Sequence, residues 1–309
     1  MTIRLGLQIP NFSYGTGVAE LFPTVIAQAQ EAEAAGFDSV FVMDHFYQLP
    51  VLGSPDQPML EAYTALGALA TATERVQLGT LVTGNSYRNP TLLAKAITTL
   101  DVISHGRAIL GIGTGWFELE HDQLGFEFGT FTERFAKLDE ALQIILPMLK
   151  GERPTLAGTY YRVEEAMANP RFREHIPLMI GGSGEKKTIP LAVRHFDHLN
   201  LIAGFDELNA KLDVVKARCD DIGRDPATLE TSMLVTAMVD AQATSDLIPE
   251  GMRQRMVVGS AESIADQLKA RVFDVGVDAV IINLPTSLQG YLPGQIAALG
   301  KALRPLTAG

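Results

Sequence analysis

Asp44 and His45 follow directly on an apolar run, Val40 to Met43, that reads as a buried strand. An acid beside an imidazole suits proton movement: the carboxylate accepts hydrogen bonds, and histidine is the side chain that titrates nearest neutrality. Buried parallel strands are apolar throughout, so charge placed directly after one marks its C-terminal end, where ligands bind in α/β proteins. The same two residues would also suit a loop cap (Asp44) and a histidine packed at the surface (His45). The surrounding elements decide between these readings.

Those elements alternate without a break. A strand over 3–9 leads into a helix over 19–35, where Val25, Ile26, Ala29, Ala32 and Ala35 recur near helical spacing and Gly36 supplies the stop. Strands follow at 38–43, 76–83, 107–113, 176–182, 198–203, 230–239 and 278–284. Helices are expected over 61–73, from Asn89-Pro90 to about 104, over 132–149, over 206–222, in a stretch ending in 260–272, and over 294–303. Asn89 can cap while Pro90 at the first helical position gives up no hydrogen bond, and Thr130 with Glu133 fits a capping box. The polar and aromatic stretch 151–175 is long for a connection and reads as an excursion.

Eight strands alternating with helices predict an α/β fold, a closed (β/α)8 TIM barrel with an insertion near its C-terminal mouth, as a single domain over 1–309. A doubly wound open sheet would carry a glycine fingerprint after the first strand. Here that strand ends in "QIPNFSYG", and the later "GIGTG" (111–115) has the wrong spacing and no acid placed for a ribose.

Composition narrows the function. With 47% hydrophobic residues the chain can bury a large core, and a net charge of -11 argues against a nucleic-acid or anionic-membrane partner. The single cysteine, Cys219, excludes an intrachain disulfide and a thiolate-rich metal cluster, and its helical setting suits a small buried residue. The N-terminus lacks a secretory pattern and no run reaches 18 apolar residues, so a cytoplasmic protein without a membrane span is expected.

In a barrel all strand C-termini face one mouth. Its rim would hold Asn11, Asp44 and His45, Thr83 to Asn85 with Arg88, Gly113 to Trp116, Gly181 to Gly184, and Asn283. One histidine on that ring, with His121 further along a loop, gives no metal site. Ser183 has no triad partner in order. The run Ile180 to Thr188 reads as a phosphate cradle: its glycines let backbone approach an anion and a helix start follows. A plain glycine-rich turn is the other reading. In "LGTLVTGN" two glycines bracket a β-branched stretch where a bulge would expose backbone to a flat ligand. Trp116 and Phe117 could wall that ligand or pack beneath the loop.

Together the blocks at 36–46, 75–95, 106–116, 131–142 and 177–197 resemble the bacterial-luciferase-like superfamily, within it the oxidoreductases that use coenzyme F420. The resemblance implies the barrel, an insertion near the mouth and a homodimer. It implies a third-strand bulge with a cis peptide at Leu81-Val82 behind the cofactor ring, with Thr83, Gly84 and Gly115 also at the cofactor. Asp44 and His45 match the acid and histidine beside the reactive ring. Gly181, Gly182, Ser183 and Gly184 match the turn around the cofactor phosphate.

The implied reaction is hydride transfer between a small-molecule substrate and the deazaflavin, with His45 as proton donor or acceptor and Asp44 orienting it or bonding the cofactor. The chain departs from the family's sugar-phosphate dehydrogenases at Trp116 (a glutamate there), at Leu49 (a tryptophan) and after strand six, where no lysine stands. The expected substrate is therefore non-phosphorylated: an alcohol, ketone or activated alkene. The alternatives are an FMN-dependent monooxygenase on the same barrel, and a barrel that binds a small molecule without chemistry.

Overall fold

A computed structural model describes residues 3–240, 253–284 and 291–307. Eight parallel strands form its centre: β1 (Arg4–Ile9), β2 (Ser39–Val42), β3 (Gln77–Thr80), β4 (Ala108–Gly113), β5 (Leu178–Gly181), β6 (His198–Leu201), β7 (Glu230–Val239) and β8 (Ala279–Asn283). Each pairs with the next, and Arg4 opposite Ala279 joins β1 to β8, so the sheet closes on itself. The expected barrel is present. The helices that cover it are α1 (Val18–Ala35), α2 (Ala62–Ala72), α3 (Pro90–Ile103), α4 (Phe131–Lys150), α5 (Thr188–His195), α6 (Leu208–Ile222), α7 (Ala261–Leu268) and α8 (Gln295–Thr307).

Local chemistry sets the boundaries. Gly36 ends α1 in the left-handed region at φ 90°. Asn89 caps α3 through the Thr91 amide, with Pro90 in the first turn. Thr130 and Glu133 cap each other at the start of α4. Between strands and helices runs the main apolar layer, while Phe41, Ile109, Met179, Ile281 and Leu81 fill the barrel itself. The barrel interior is therefore packed with side chains rather than open.

The third strand carries the expected bulge and cis peptide, while two further elements differ from the sequence reading. The expected third strand is broken: Leu78 and Gly79 pair with Ala108 and Ile109, but Thr83 pairs with Ile112. Three residues of one strand thus face two of the other, which is a bulge, and the Leu81-Val82 peptide within it is cis. A short helix, Glu118–Leu124, and a strand, Met256–Gly259, that pairs outside the barrel with β7 were not expected. Part of the stretch leading to α7, 241–252, lies outside the described residues.

The excursion after α4 forms a small hairpin (Leu156–Ala157 with Arg162–Val163). Glu140, midway along α4, accepts the amides of Thr159, Tyr160 and Tyr161, and Asn85 at the mouth donates to the Tyr161 hydroxyl at 3.4 Å. No helix among the described residues is long and apolar enough to cross a membrane.

Candidate functional site at the barrel mouth

Asp44 and His45 leave β2 at the mouth as expected, but they do not act on each other. The Asp44 carboxylate is buried, receives Arg88 at 2.6 Å and accepts the Gly84 amide at 3.1 Å. Burial pushes its pKa up, against the pull of Arg88 and Gly84. Arg88 also reaches Glu61 at 2.6 Å and lies over the Tyr63 ring. Asp44 therefore ties β2 to the bulge.

The partner of His45 is Glu120, in the short helix after β4. His45 Nδ1 lies 2.9 Å from Glu120 Oε2, and the other carboxylate oxygen accepts the amides of Phe46 (2.5 Å) and Tyr47 (2.9 Å). The Tyr87 hydroxyl donates to Oε2 as well. Glu120 is fully buried, and burial raises its pKa, but the bonds from His45, Tyr87 and Tyr47 outweigh that and hold it below the usual range. Sequence reasoning missed this residue. A signal was there: Phe117, Glu120 and His121 fall at i, i+3 and i+4, the spacing of one buried helical face, and all three are buried.

His121 has both ring nitrogens engaged, with the Phe117 carbonyl at 2.8 Å and Ser86 Oγ at 2.7 Å. It packs among the Tyr87, Phe126 and Phe128 rings and lines neither cavity. Trp116 does wall the mouth: it is 58% exposed and lies edge-on to His45 with ring centroids 5.7 Å apart, whereas Phe117 is buried.

Two cavities open here. One, of about 160 Å³, is lined by Asp44, His45, the bulge from Leu81 to Gly84, Gly113 to Trp116, and Gly181. The second, about 350 Å³, is mostly apolar, with Met43, Leu49, Leu52 and Leu234 in its walls and Arg255 as its fixed charge. His45, Leu81, Trp116 and Ile202 belong to both.

Glycine keeps the first cavity's backbone bare. A Cβ on Gly181 would lie 3.1 Å from Val82, one on Gly113 3.0 Å from Val82, and one on Gly115 2.4 Å from Ser86 Oγ. The turn after β5 behaves similarly: Gly182 has φ 131°, and a Cβ on Gly184 would meet Thr188 Oγ1 at 3.0 Å. Ser183 Oγ donates to the Ile202 carbonyl at 2.7 Å, which fixes the turn. The helix start does not follow at once. α5 begins at Thr188, and Lys187 before it lies over the Phe131 and Phe135 rings.

The sequence pattern of the luciferase-like monooxygenase family matches residues 3–245. The chain belongs to that family. Within this luciferase-like group it is 40% identical, over 165 residues (51% of this chain, 46% of the relative), to an F420-dependent glucose-6-phosphate dehydrogenase of Microbacterium testaceum. It is 34% identical over 226 residues, 70% of this chain and 61% of the relative, to an F420-dependent hydroxymycolic acid dehydrogenase of Mycobacterium tuberculosis. The chain spans about half the length of the curated dehydrogenases it first matches. In fold, this luciferase-like barrel superposes on an F420-dependent secondary alcohol dehydrogenase bound to an F420-acetone adduct, with TM-score 0.84, 20% identity and full coverage of both chains. It also superposes on an EDTA monooxygenase from Chelativorans (TM-score 0.82, 14% identity, 99% and 93% coverage).

Proposed function

We propose that this protein is an F420-dependent oxidoreductase that moves a hydride between the coenzyme and a small, non-phosphorylated alcohol, ketone or activated alkene. The observation that carries this reading is the pair of cavities with His45 in their common wall. The first suits the coenzyme because its wall is largely backbone, at Gly84, Gly113, Gly115 and Gly181, next to the bulge at Leu81 and Val82. Asp44, Leu81, Val82, Thr83, Gly84, Gly115 and Gly181 would hold the ring, and Gly182, Ser183 and Gly184 the phosphate. Bound there, F420 supplies a two-electron hydride acceptor or donor.

The chain's own residues do the rest. Among the described residues the second cavity offers apolar walls and one guanidinium, Arg255, with no lysine, which suits an uncharged body better than a sugar phosphate dianion. His45 stands between the two compartments. In alcohol oxidation it takes the hydroxyl proton as the hydride leaves carbon, and in ketone reduction it returns one. The relatives named for F420 chemistry point the same way.

Binding of oxidised F420, and separately of FMN, to the purified protein tests the reading. Trp116 is the sole tryptophan and lines both cavities, so its quenching reports occupancy, with calorimetry as a check. Tight F420 and weak FMN binding, followed by turnover of a neutral alcohol or ketone in a substrate screen, is the expected result. Preference for FMN would move the protein to the monooxygenase branch.

A further inference from the structure

We infer that Glu120 is the positioning residue that makes His45 a base: it fixes the imidazole tautomer so that the bare nitrogen, Nε2, faces the cavities. For the direction of catalysis this rests on the proposed hydride reaction, but the tautomer itself is a property of the chain alone.

The argument begins with an acceptor that has no proton to give. Glu120 is buried and held ionised by its donors, so each group within hydrogen-bond distance of it must donate. Its Oε1 is taken by the Phe46 and Tyr47 amides, and its Oε2 by Tyr87 and by His45 Nδ1 at 2.9 Å. Nδ1 therefore carries the proton. In the neutral ring this leaves Nε2 with a lone pair.

Trp116 and Phe117 both stand edge-on to the ring, at 5.7 and 5.8 Å. Two amides of the His45 loop are also tied to the same carboxylate that orients the ring. In alcohol oxidation Nε2 then accepts the hydroxyl proton while the C–H bond releases its electron pair as hydride. The resulting imidazolium is stabilised by the carboxylate behind it, the arrangement that a buried acid provides for a catalytic histidine in hydrolase triads.

Glu120→Gln separates this role from mere packing. The glutamine carbonyl must still accept from Phe46 and Tyr47, which turns its NH2 toward His45. Nδ1 then becomes the acceptor, and the proton moves to Nε2, where it blocks proton uptake. Nitrogen-15 NMR of histidine-labelled protein reads this without cofactor, with the His45 signal assigned by its loss in His45→Ala. Above neutral pH the wild-type ring should show the Nδ1–H form and the variant the Nε2–H form. Turnover should fall by about 10²–10⁴ with KM for the coenzyme little changed. In the His45→Ala background Glu120→Gln should cost nothing further.

An Nε2–H ring in wild type overturns the inference even if the variant fails to fold. So does an unchanged tautomer or unchanged turnover in Glu120→Gln. Failure of F420 to bind would strike the functional reading and leave the tautomer result standing.

Discussion

Two histidines at opposite ends of this barrel show what separates a reactive side chain from a structural one. His45, past the end of β2, has a carboxylate on Nδ1 and its other face toward two cavities. His198, at the start of β6, bonds through Nε2 to Ser232 Oγ at 2.6 Å, and Asn200 shares that hydroxyl. Its nearest carboxylate, Glu230, is 3.9 Å away and is engaged by Arg4 at 2.7 Å. The space beside it is only about 10 Å³, room for a single water at most. Burial, and then the charge of Arg4, push His198 down to about 3. Both rings are largely enclosed, but one has a charged partner and lines two cavities while the other has a neutral hydroxyl partner and room for a water at most. Of the two, it is the first that lines the cavities at the mouth.

If that contrast is right, the largest effect belongs to His45→Ala. Turnover should drop by about 10²–10⁴ while coenzyme binding is largely kept. Equal turnover at saturating substrate would remove His45 from the chemistry and dissolve the contrast. Next comes Arg88→Met, which strands the buried Asp44 carboxylate. Removing one member of such a pair costs about 3–5 kcal/mol, so urea denaturation should show a large loss of stability together with weaker coenzyme binding.

At the other end, His198→Ala leaves the Ser232 hydroxyl short of a partner. About 1–3 kcal/mol of stability should be lost, with activity per folded molecule unchanged. A fall in activity larger than the fall in folded fraction would tell against a purely structural base. The last effect is a slope. Because native His198 stays neutral down to about 3 while an unfolded histidine protonates near 6.5, the unfolded chain binds more protons between those values. Stability is complete above about pH 6.5 and should fall by up to about 1.4 kcal/mol per pH unit below it. His198→Gln should flatten that slope in melts at pH 7 and pH 5.

Much of this was readable in advance, for local reasons. Strand and helix periods, the Asn89 cap, the Thr130–Glu133 box and the left-handed Gly36 are encoded within a few residues of where they act. The bare backbone at Gly181 to Gly184 is likewise a property of the glycines themselves. Asp44 misled: adjacency to His45 in sequence suggested that the two work together, yet successive residues leaving a strand diverge. Asp44 instead went to Arg88, 44 residues on. The strand Met256–Gly259 was missed because four apolar residues between uncertain neighbours carry no period.

The sequence by itself determined an eight-stranded barrel and the ring of residue types at its mouth, because strand alternation, helix periodicity and caps are short-range. Tertiary structure alone decided who partners whom. Closing the sheet sets β2 and β4 on either side of β3, and the loop after β4 then reaches across to bring Glu120, 75 residues distant, onto His45 Nδ1. A buried charge finds its partner by position in space rather than along the chain, so that choice could be made only once the barrel had closed.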